Sequence, residues 1–161
     1  MLKIIGICIL IFTFCLVARE LIMLRRRRLL ALEELHRFLS FAKVRIECYL
    51  CKISEIARDF KSPTLQKSGF LSALSDGCGA AHAFRTAFSP TTLGERGYRV
   101  LDELFLSLGE GYLDGELVRI DAAVSELSEL VAMERAEASR GARLVRTLCA
   151  ALSLGVLIFA I

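Results

Sequence analysis

A chain of 161 residues that is 55% hydrophobic and lacks Trp falls between the usual compositions of soluble proteins and of polytopic membrane proteins. The net charge of +3 is unevenly distributed, because residues 29–139 contain 12 Lys and Arg against 17 Asp and Glu, a net charge of −5. This acidic region would repel a phosphate backbone, which argues against nucleic acid as a partner.

An uncharged apolar segment opens the chain at residues 4–18. As a helix it would be about 22 Å long, against roughly 30 Å for the hydrocarbon layer of a bilayer, so Lys3 would have to extend its span by reaching toward the headgroups. A cleaved signal peptide is the alternative, but Leu16 and Ala18 do not provide the two small residues that cleavage requires. We therefore predict an uncleaved transmembrane anchor over residues 1–24.

Arginines lie next to both apolar ends of the chain. They are Arg19 and the four arginines at 25–28 after the first segment, and Arg140, Arg143 and Arg146 before a second uncharged segment at residues 147–161. By the positive-inside rule, both clusters place the region between the segments in the cytoplasm and both termini outside. The tetra-arginine run could also be a nucleic-acid patch, but a basic run beside an apolar anchor is typical of contact with anionic lipid headgroups.

The first long helix is predicted to leave the membrane without a break, because no Gly or Pro occurs between residues 7 and 62. Its apolar residues recur at alternating intervals of three and four, which is typical of a narrow apolar stripe on a helix. The stripe consists of Leu32, Leu35, Leu39, Ala42, Ile46, Tyr49, Ile53, Ile56 and Phe60. Ser62-Pro63 is predicted to end this helix.

Three shorter helices are predicted in the middle of the chain. The first covers residues 64–74 and stops at Asp76-Gly77, and the second runs from Gly79 to Phe88. A turn at Ser89-Pro90, with Ser89 as a possible N-cap, leads into the third helix. The apolar residues of that helix are Val100, Leu101, Leu104, Phe105 and Leu108.

The last helix is predicted to begin at the N-cap Asp114, to run to residue 146, and to continue into a C-terminal anchor at 147–161. It repeats the stripe with Leu117, Ile120, Val124, Leu127 and Val131. Two long helices that enter and leave one membrane can bury such stripes by packing antiparallel. We therefore predict an all-α fold: a membrane-anchored antiparallel helical bundle at residues 25–146, cytoplasmic, with two long helices continuing into the N- and C-terminal transmembrane segments.

The six cysteines do not indicate a disulfide framework. Three lie within the anchors and three in a region predicted to face a reducing compartment, namely Cys8, Cys15 and Cys149, and Cys48, Cys51 and Cys78. Cys48 and Cys51 form a single CxxC motif, and two cysteines three apart on a helix usually fill an apolar face. A zinc site would need ligands from His36, His82 or Cys78, which are scattered along the chain, and a redox motif would need a βαβ context.

Other groups of residues that are catalytic or bind ligands in other proteins have structural explanations in this sequence. His36 and His82 lack a Ser or Cys partner in a motif, so no nucleophilic triad is predicted. Gly109, Gly111 and Gly115 follow a helix rather than a strand and indicate a helix-to-helix turn. The acidic pairs at 33–34 and 102–103 indicate a solvated face. We predict no enzyme activity, no catalytic, cofactor or metal site, and no small-molecule substrate.

Residues along nearly the whole chain match the pattern of one known family. The scattered matches are Met1-Leu2-Lys3, Gly6, Glu20, Ile46, Ile53, Glu55, Gly77 and Ala83-Phe84. The most specific ones are Leu108-Gly109-Glu110-Gly111, which resembles a Leu-Gly-x-Ser turn, then Glu116 and Ile120, then Arg143-Leu144-Val145-Arg146 and Leu148. On these residues the chain resembles the stage III sporulation protein AB family of endospore-forming bacteria.

The chain also departs from that family pattern at several positions. Gly111 stands for Ser, Glu116 for Gln, Val145 for an aromatic residue, and Cys51-Lys52 for Thr-Pro. The missing Pro predicts that the first long helix runs straighter than in the family.

The resemblance implies a scaffold rather than an enzyme, in the channel complex that links the mother cell to the forespore. It implies a location on the mother-cell side, in the outer forespore membrane, with a fold similar to the cytoplasmic domain of type II secretion F proteins. The implied partners are a secretion-type ATPase, other membrane components of that complex and the lipid bilayer, with the acidic surface of the bundle as the docking face. A membrane-anchored helical adaptor or signalling protein unrelated to sporulation is the alternative.

Overall fold

The computed structural model describes the backbone of residues 2–49, 51–108 and 113–160, and within these the side chains of residues 12–13, 16–49, 51–108, 115–141 and 147. All regular structure in this part of the chain is helical, as predicted. The helices are α1 (Leu2–Tyr49), α2 (Ile53–Asp59), α3 (Pro63–Lys67), α4 (Phe70–Ser75), α5 (Ala80–Ala87), α6 (Pro90–Leu93), α7 (Glu95–Ser107) and α8 (Leu113–Ala160).

The chain divides into two compact units. One consists of Met1–Arg27 and Met133–Ile161, and we call it the terminal unit. The other is Arg28–Ala132, and we call it the bundle. The boundaries of the predicted anchors, at residues 24 and 147, stay predictions.

The bundle has a core built from apolar side chains of α1 to α8. Phe70 of α4 is fully buried, and its ring centroid lies 5.6 Å from that of Phe38, 5.7 Å from Phe88 and 5.5 Å from Phe105. Such edge-to-face and tilted ring pairs stabilise a core beyond the area that they bury. The predicted stripes of α1 and α8 enter this core, confirmed by the buried residues Leu32, Leu35, Leu39, Ala42, Ile46, Ile120 and Leu127. The prediction is wrong for Tyr49, which is 67% exposed.

Within the bundle, α1 and α8 run antiparallel, as predicted. Lys43 of α1 pairs with Asp121 of α8, and Ile46, further along α1, lines the same groove as Glu116, which comes earlier in α8. The residue numbers therefore rise along one helix as they fall along the other.

The prediction that the first long helix continues to Phe60 is wrong. α1 ends at Tyr49, Lys52 is extended with φ −71° and ψ 147°, and α2 begins at Ile53. The ring centroid of Phe60 lies 5.3 Å from that of Phe38, whereas 22 residues of continuous helix would separate them by about 33 Å. The chain therefore reverses between the two helices, although no Pro is present. Burial of Ile56 and Phe60 in the bundle core stabilises the reversal.

The helix predicted at residues 64–74 is divided into α3 and α4. Ser62, with Pro63 after it, caps α3 by accepting a hydrogen bond from the Leu65 amide at 3.2 Å. Gly69 then takes a left-handed conformation at φ +78°, which any other residue adopts with strain, and this turn separates the two helices. The helices predicted from Gly79 to Phe88 and around Leu104 are confirmed as α5 and α7.

Two predictions near the long helices have different outcomes. α8 begins at Leu113, one residue before the predicted N-cap Asp114. Of the glycines predicted to form a turn, Gly115 lies within α8, and Gly109 and Gly111 lie outside the described residues. The side chains of the predicted anchors at 4–18 and 147–161 also lie mostly outside them. Among the residues that the structure does describe, none of the helices combines the length and apolarity needed to cross a membrane.

Candidate functional site

The bundle surface carries ion pairs that join one helix to another. Arg85 of α5 donates two hydrogen bonds to the carboxylate of Asp102 on α7, from Nε at 2.7 Å and from Nη2 at 2.9 Å. These hydrogen bonds lower the pKa of Asp102 below its ordinary value of 3.8 and raise that of Arg85. A two-point contact of this kind fixes the orientation of both side chains as well as their distance. It therefore holds α5 and α7 in one alignment.

Two further pairs fasten α8 to the rest of the bundle. Lys43 of α1 lies 2.6 Å from Asp121, and this hydrogen bond raises the pKa of the Lys43 ammonium. Arg96 of α7 donates from Nε and Nη2 to one oxygen of Glu126, both at 3.2 Å. Asp121 and Glu126 flank the buried Ala123, so the two pairs border the strip of α8 that enters the core.

A longer-range contact involves the last arginine of the tetra-arginine run. Arg28 is half-buried, and its Nε donates to the carbonyl of Leu93 at 3.1 Å, across 65 positions of sequence. The next residue, Gly94, has φ +80° and ψ 152°, and a Cβ at this position would overlap the Arg28 guanidinium. The pair therefore ties the corner between α6 and α7 to α1, and this corner accepts only glycine without displacing the arginine.

The other arginines of the run lie in the terminal unit. Arg25, Arg26 and Arg27 are all exposed, but only Arg25 has an acidic neighbour in the described part of the chain, Glu137 of α8 at 3.8 Å. Large apolar side chains on this part of α1 are exposed as well. They are Phe12 (66%), Leu16 (45%), Val17 (59%), Leu21 (56%), Met23 (37%) and Leu24 (58%).

The prediction that both cysteines of the CxxC motif fill an apolar helix face is wrong for Cys48, whereas Cys51 is partly buried against the core but lies outside α1. Cys48 is exposed near the end of α1, and half-buried Cys51 lies beyond it, in the link to α2. Cys51 instead lines a groove of about 430 Å³ together with exposed Cys78, Leu74 and Lys52. The structure thus groups Cys51 with a cysteine that the motif does not contain.

The histidines of the bundle lie apart on α1 and α5. His36 is half-buried and His82 is exposed. The backbone carbonyl of His36 accepts a hydrogen bond from the Ser40 hydroxyl, and that of His82 accepts one from the Thr86 hydroxyl. In the described part of the chain, no three His, Cys, Asp or Glu side chains form a group that could hold a metal ion. The absence of a metal or catalytic site stays a prediction.

The two acidic pairs are only partly solvated. Glu103 is exposed as predicted, but its neighbour Asp102 is held by Arg85 and is 20% exposed. Glu34 lies 3.8 Å from Arg37, and its Oε2 is buried without a hydrogen bond from any residue that the structure describes. Asp102 therefore joins two helices, Glu34 pairs within α1, and only Glu103 is exposed as the prediction of a solvated face requires.

Comparison with known proteins decides the family. The family model for stage III sporulation protein AB matches residues 3–161, which is nearly the whole chain. The chain belongs to the stage III sporulation protein AB family. No curated protein and no solved structure matches the chain.

Membership in the stage III sporulation protein AB family confirms the resemblance and implies a role in stage III of sporulation. It does not favour an adaptor unrelated to sporulation. The likeness to type II secretion F proteins and the identity of the partners stay predictions.

Sequence reasoning missed the two residues that form the Arg28–Gly94 contact. The sequence pattern did not single out Gly94, although it directly follows α6 and a glycine just past the end of a helix favours a positive φ. Nothing in the sequence distinguishes Arg28 from its three neighbours. The prediction that the first long helix runs straighter because Lys52 replaces a Pro is wrong, since α1 ends at Tyr49 and Lys52 takes an extended conformation.

Proposed function

We propose that this chain is a non-enzymatic scaffold subunit of the channel complex that links the mother cell to the forespore during endospore formation. The observation that carries the proposal is the family match over residues 3–161. The bundle supports it, because a close-packed aromatic core and ion pairs between helices suit a part that must keep its shape while partners bind.

The proposal includes anchoring in the membrane by the two apolar ends, with the bundle in the cytoplasm of the mother cell and both termini outside. Two features support this arrangement. The arginines flanking residues 4–18 and 147–161 follow the positive-inside rule. The exposed side chains of Leu16, Leu21 and Leu24 form a surface that lipid would cover better than water.

The proposed partners are a secretion-type ATPase and neighbouring membrane components of the same complex. The acidic surface of the bundle supports a protein docking face, because exposed carboxylates steer a partner with a basic surface. Exposed acidic residues lie on several helices, among them Glu55 of α2, Glu103 of α7 and Glu129 of α8.

Crosslinking in sporulating cells tests the scaffold role. A tagged full-length chain should co-purify with an ATPase and with membrane proteins of the complex after crosslinking, and an untagged strain is the control. Recovery of the tagged chain alone would remove the basis of the proposal. Expression at a constant level in vegetative cells would instead favour an adaptor.

Charge reversal locates the docking face. Glu55→Lys, Glu103→Lys and Glu129→Lys each change one exposed carboxylate, and Lys67→Glu is the matched control on α3. We expect at least one of the three to lose the ATPase crosslink while membrane components are still recovered. If all four variants behave like the wild type, the acidic surface is not the docking face.

A further inference from the structure

The four arginines at 25–28 differ in what they contact. Arg28 donates to the Leu93 carbonyl inside the bundle, and Arg25 pairs with Glu137 in the terminal unit. Arg26 and Arg27 are exposed, and no hydrogen bond or ion pair joins either of them to another residue that the structure describes. Arg25 is exposed as well, but the Glu137 carboxylate offsets its charge, so of the four only Arg26 and Arg27 present an exposed guanidinium without an acidic neighbour among the described residues.

The surface around Arg26 and Arg27 combines positive charge with exposed apolar side chains. Arg19 and Arg26 are seven residues apart, so they share one face of α1. Arg27 shares a face with Met23, four residues earlier. Glu20 is also exposed here, which leaves a net charge of +2 from these three arginines and one glutamate.

The apolar residues on this stretch of α1 cover a wide part of its circumference. On one face lie Leu16 and Met23, and on another Val17, Leu21 and Leu24, all of them more than a third exposed. Ala18, only 8% exposed, marks the buried face. Exposed apolar side chains followed within one turn by free guanidinium groups fit the boundary between the acyl chains and the headgroups of a bilayer.

We propose that Arg26 and Arg27, with Arg19, bind the headgroup phosphates of anionic lipids, and that Arg25 and Arg28 do not. A guanidinium can donate two parallel hydrogen bonds to a phosphate, and the anionic leaflet adds a long-range attraction. The apolar residues between 16 and 24 lie against the acyl chains. This assignment rests on the proposed membrane anchoring. It divides the tetra-arginine run into a lipid-binding pair, one arginine whose charge is offset by Glu137, and one arginine that is bonded within the bundle.

Lipid binding by the full-length chain in detergent tests whether Arg26 and Arg27 bind anionic lipid and Arg25 does not. Native mass spectrometry would count phosphatidylglycerol and phosphatidylcholine molecules retained by the wild type and by Arg27→Gln, Arg26→Gln/Arg27→Gln and Arg25→Gln. Arg25→Gln removes the same charge as Arg27→Gln and is the matched control. We expect a loss of phosphatidylglycerol affinity of about fivefold for Arg27→Gln and about 25-fold for the double variant, and less than twofold for Arg25→Gln.

Three outcomes would overturn the inference. Equal losses for Arg25→Gln and Arg27→Gln would mean that only net charge matters. An equal loss of phosphatidylcholine would mean that headgroup charge is not recognised. If the Arg26→Gln/Arg27→Gln variant lost a crosslink to another protein but kept its bound lipid, Arg26 and Arg27 would instead bind an acidic protein. In all three cases the scaffold role could still hold, since co-purification tests it separately, whereas recovery of the chain outside the membrane fraction of cells would contradict the anchoring itself.

Discussion

The bundle and the terminal unit use the same residue types in opposite ways. In the bundle, Phe38, Phe70 and Phe84 are fully buried and contact other rings, whereas Phe12 of the terminal unit is 66% exposed. Arginine differs similarly, since Arg85 and Arg96 join helices of the bundle while Arg26 and Arg27 face outward. The bundle buries its phenylalanine rings against one another, whereas the described part of the terminal unit exposes apolar and cationic groups close together on α1.

The largest effect should come from removing a ring of the bundle core. Phe70→Ala should lower the free energy of unfolding by about 3–5 kcal/mol, because it leaves a cavity among three other rings. Phe12→Ala is the matched control and should change it by less than about 0.5 kcal/mol. Denaturant unfolding of the full-length chain, followed by far-UV circular dichroism, measures both.

If Phe70→Ala does not fold, Phe70→Leu supplies a smaller loss in the same direction. Equal effects of the Phe12 and Phe70 substitutions would contradict the contrast between the two units.

A smaller effect should come from the contact between Arg28 and Gly94. Gly94→Ala should cost about 2–4 kcal/mol, because it forces a residue with a Cβ into a conformation suited to glycine and also displaces the guanidinium. Gly77→Ala has a similar φ of +81° but no atom near the new Cβ, and should cost about 1–2 kcal/mol.

A double-mutant cycle separates the two contributions at Gly94. In an Arg28→Ala background, the guanidinium is gone and Gly94→Ala should cost less than in the wild type. An unchanged cost would show that backbone strain alone accounts for the glycine.

The ion pair between Arg85 and Asp102 should make stability depend on pH in the acid range. The pKa of Asp102 is lowered in the folded state, so its contribution is complete above the unfolded value and is lost as the pH falls through the folded value. Asp102→Asn should therefore be less stable than the wild type at neutral pH, and the two should converge below about pH 4.

Thermal unfolding of both proteins across this pH range checks the prediction. Glu103→Gln removes the adjacent exposed carboxylate and should leave stability at neutral pH unchanged. A gap between the wild type and Asp102→Asn that does not depend on pH would mean that the hydrogen bonds of Asp102, rather than its charge, account for the effect.

The smallest effect on folding should come from the exposed apolar surface of the terminal unit. Leu21→Gln should change the free energy of unfolding by less than about 0.5 kcal/mol, because Leu21 is 56% exposed. It should nevertheless reduce the fraction of the chain that sediments with membranes. Leu106→Gln, at a bundle residue that is 46% exposed, is the control and should leave sedimentation unchanged. The same loss in both variants would mean that apolarity alone, and not the terminal unit, sets membrane retention.

Much of the bundle follows from local sequence patterns. The stripes around Leu35 and Leu127 predict two amphipathic helices, because an interval of three and four residues returns to the same face of a helix. The limits of α5 follow from Gly79 and from Ser89-Pro90 in the same way. These features depend on residues within one or two turns of each other.

The reversal after Tyr49 could not be predicted in this way. The stripe continues through Ile53, Ile56 and Phe60 in perfect register with α1, so periodicity favours one helix. Only the contact of Phe60 with Phe38 shows that the same residues reach the core from a second helix that returns along the first. Periodicity indicates most of the buried residues but not the direction from which they reach the core, and it fails at Tyr49, which is in register but 67% exposed where α1 ends.

The candidate lipid-binding surface also could be predicted only in part from the sequence. The sequence shows four adjacent arginines next to an apolar segment, and their charge alone indicates an anionic partner. The contacts of Arg25 with Glu137 and of Arg28 with Leu93 remove two of the four from that role.

The sequence by itself therefore determined the helical class, the buried stripes, the separation of basic flanks from an acidic middle, and the family. The tertiary structure decided where α1 ends, which cysteines share a groove and which arginines are free. The physical reason is distance along the chain. Helix periodicity and charge are local properties, whereas the contact between Arg28 and Leu93 joins residues 65 positions apart and exists only once the bundle has formed.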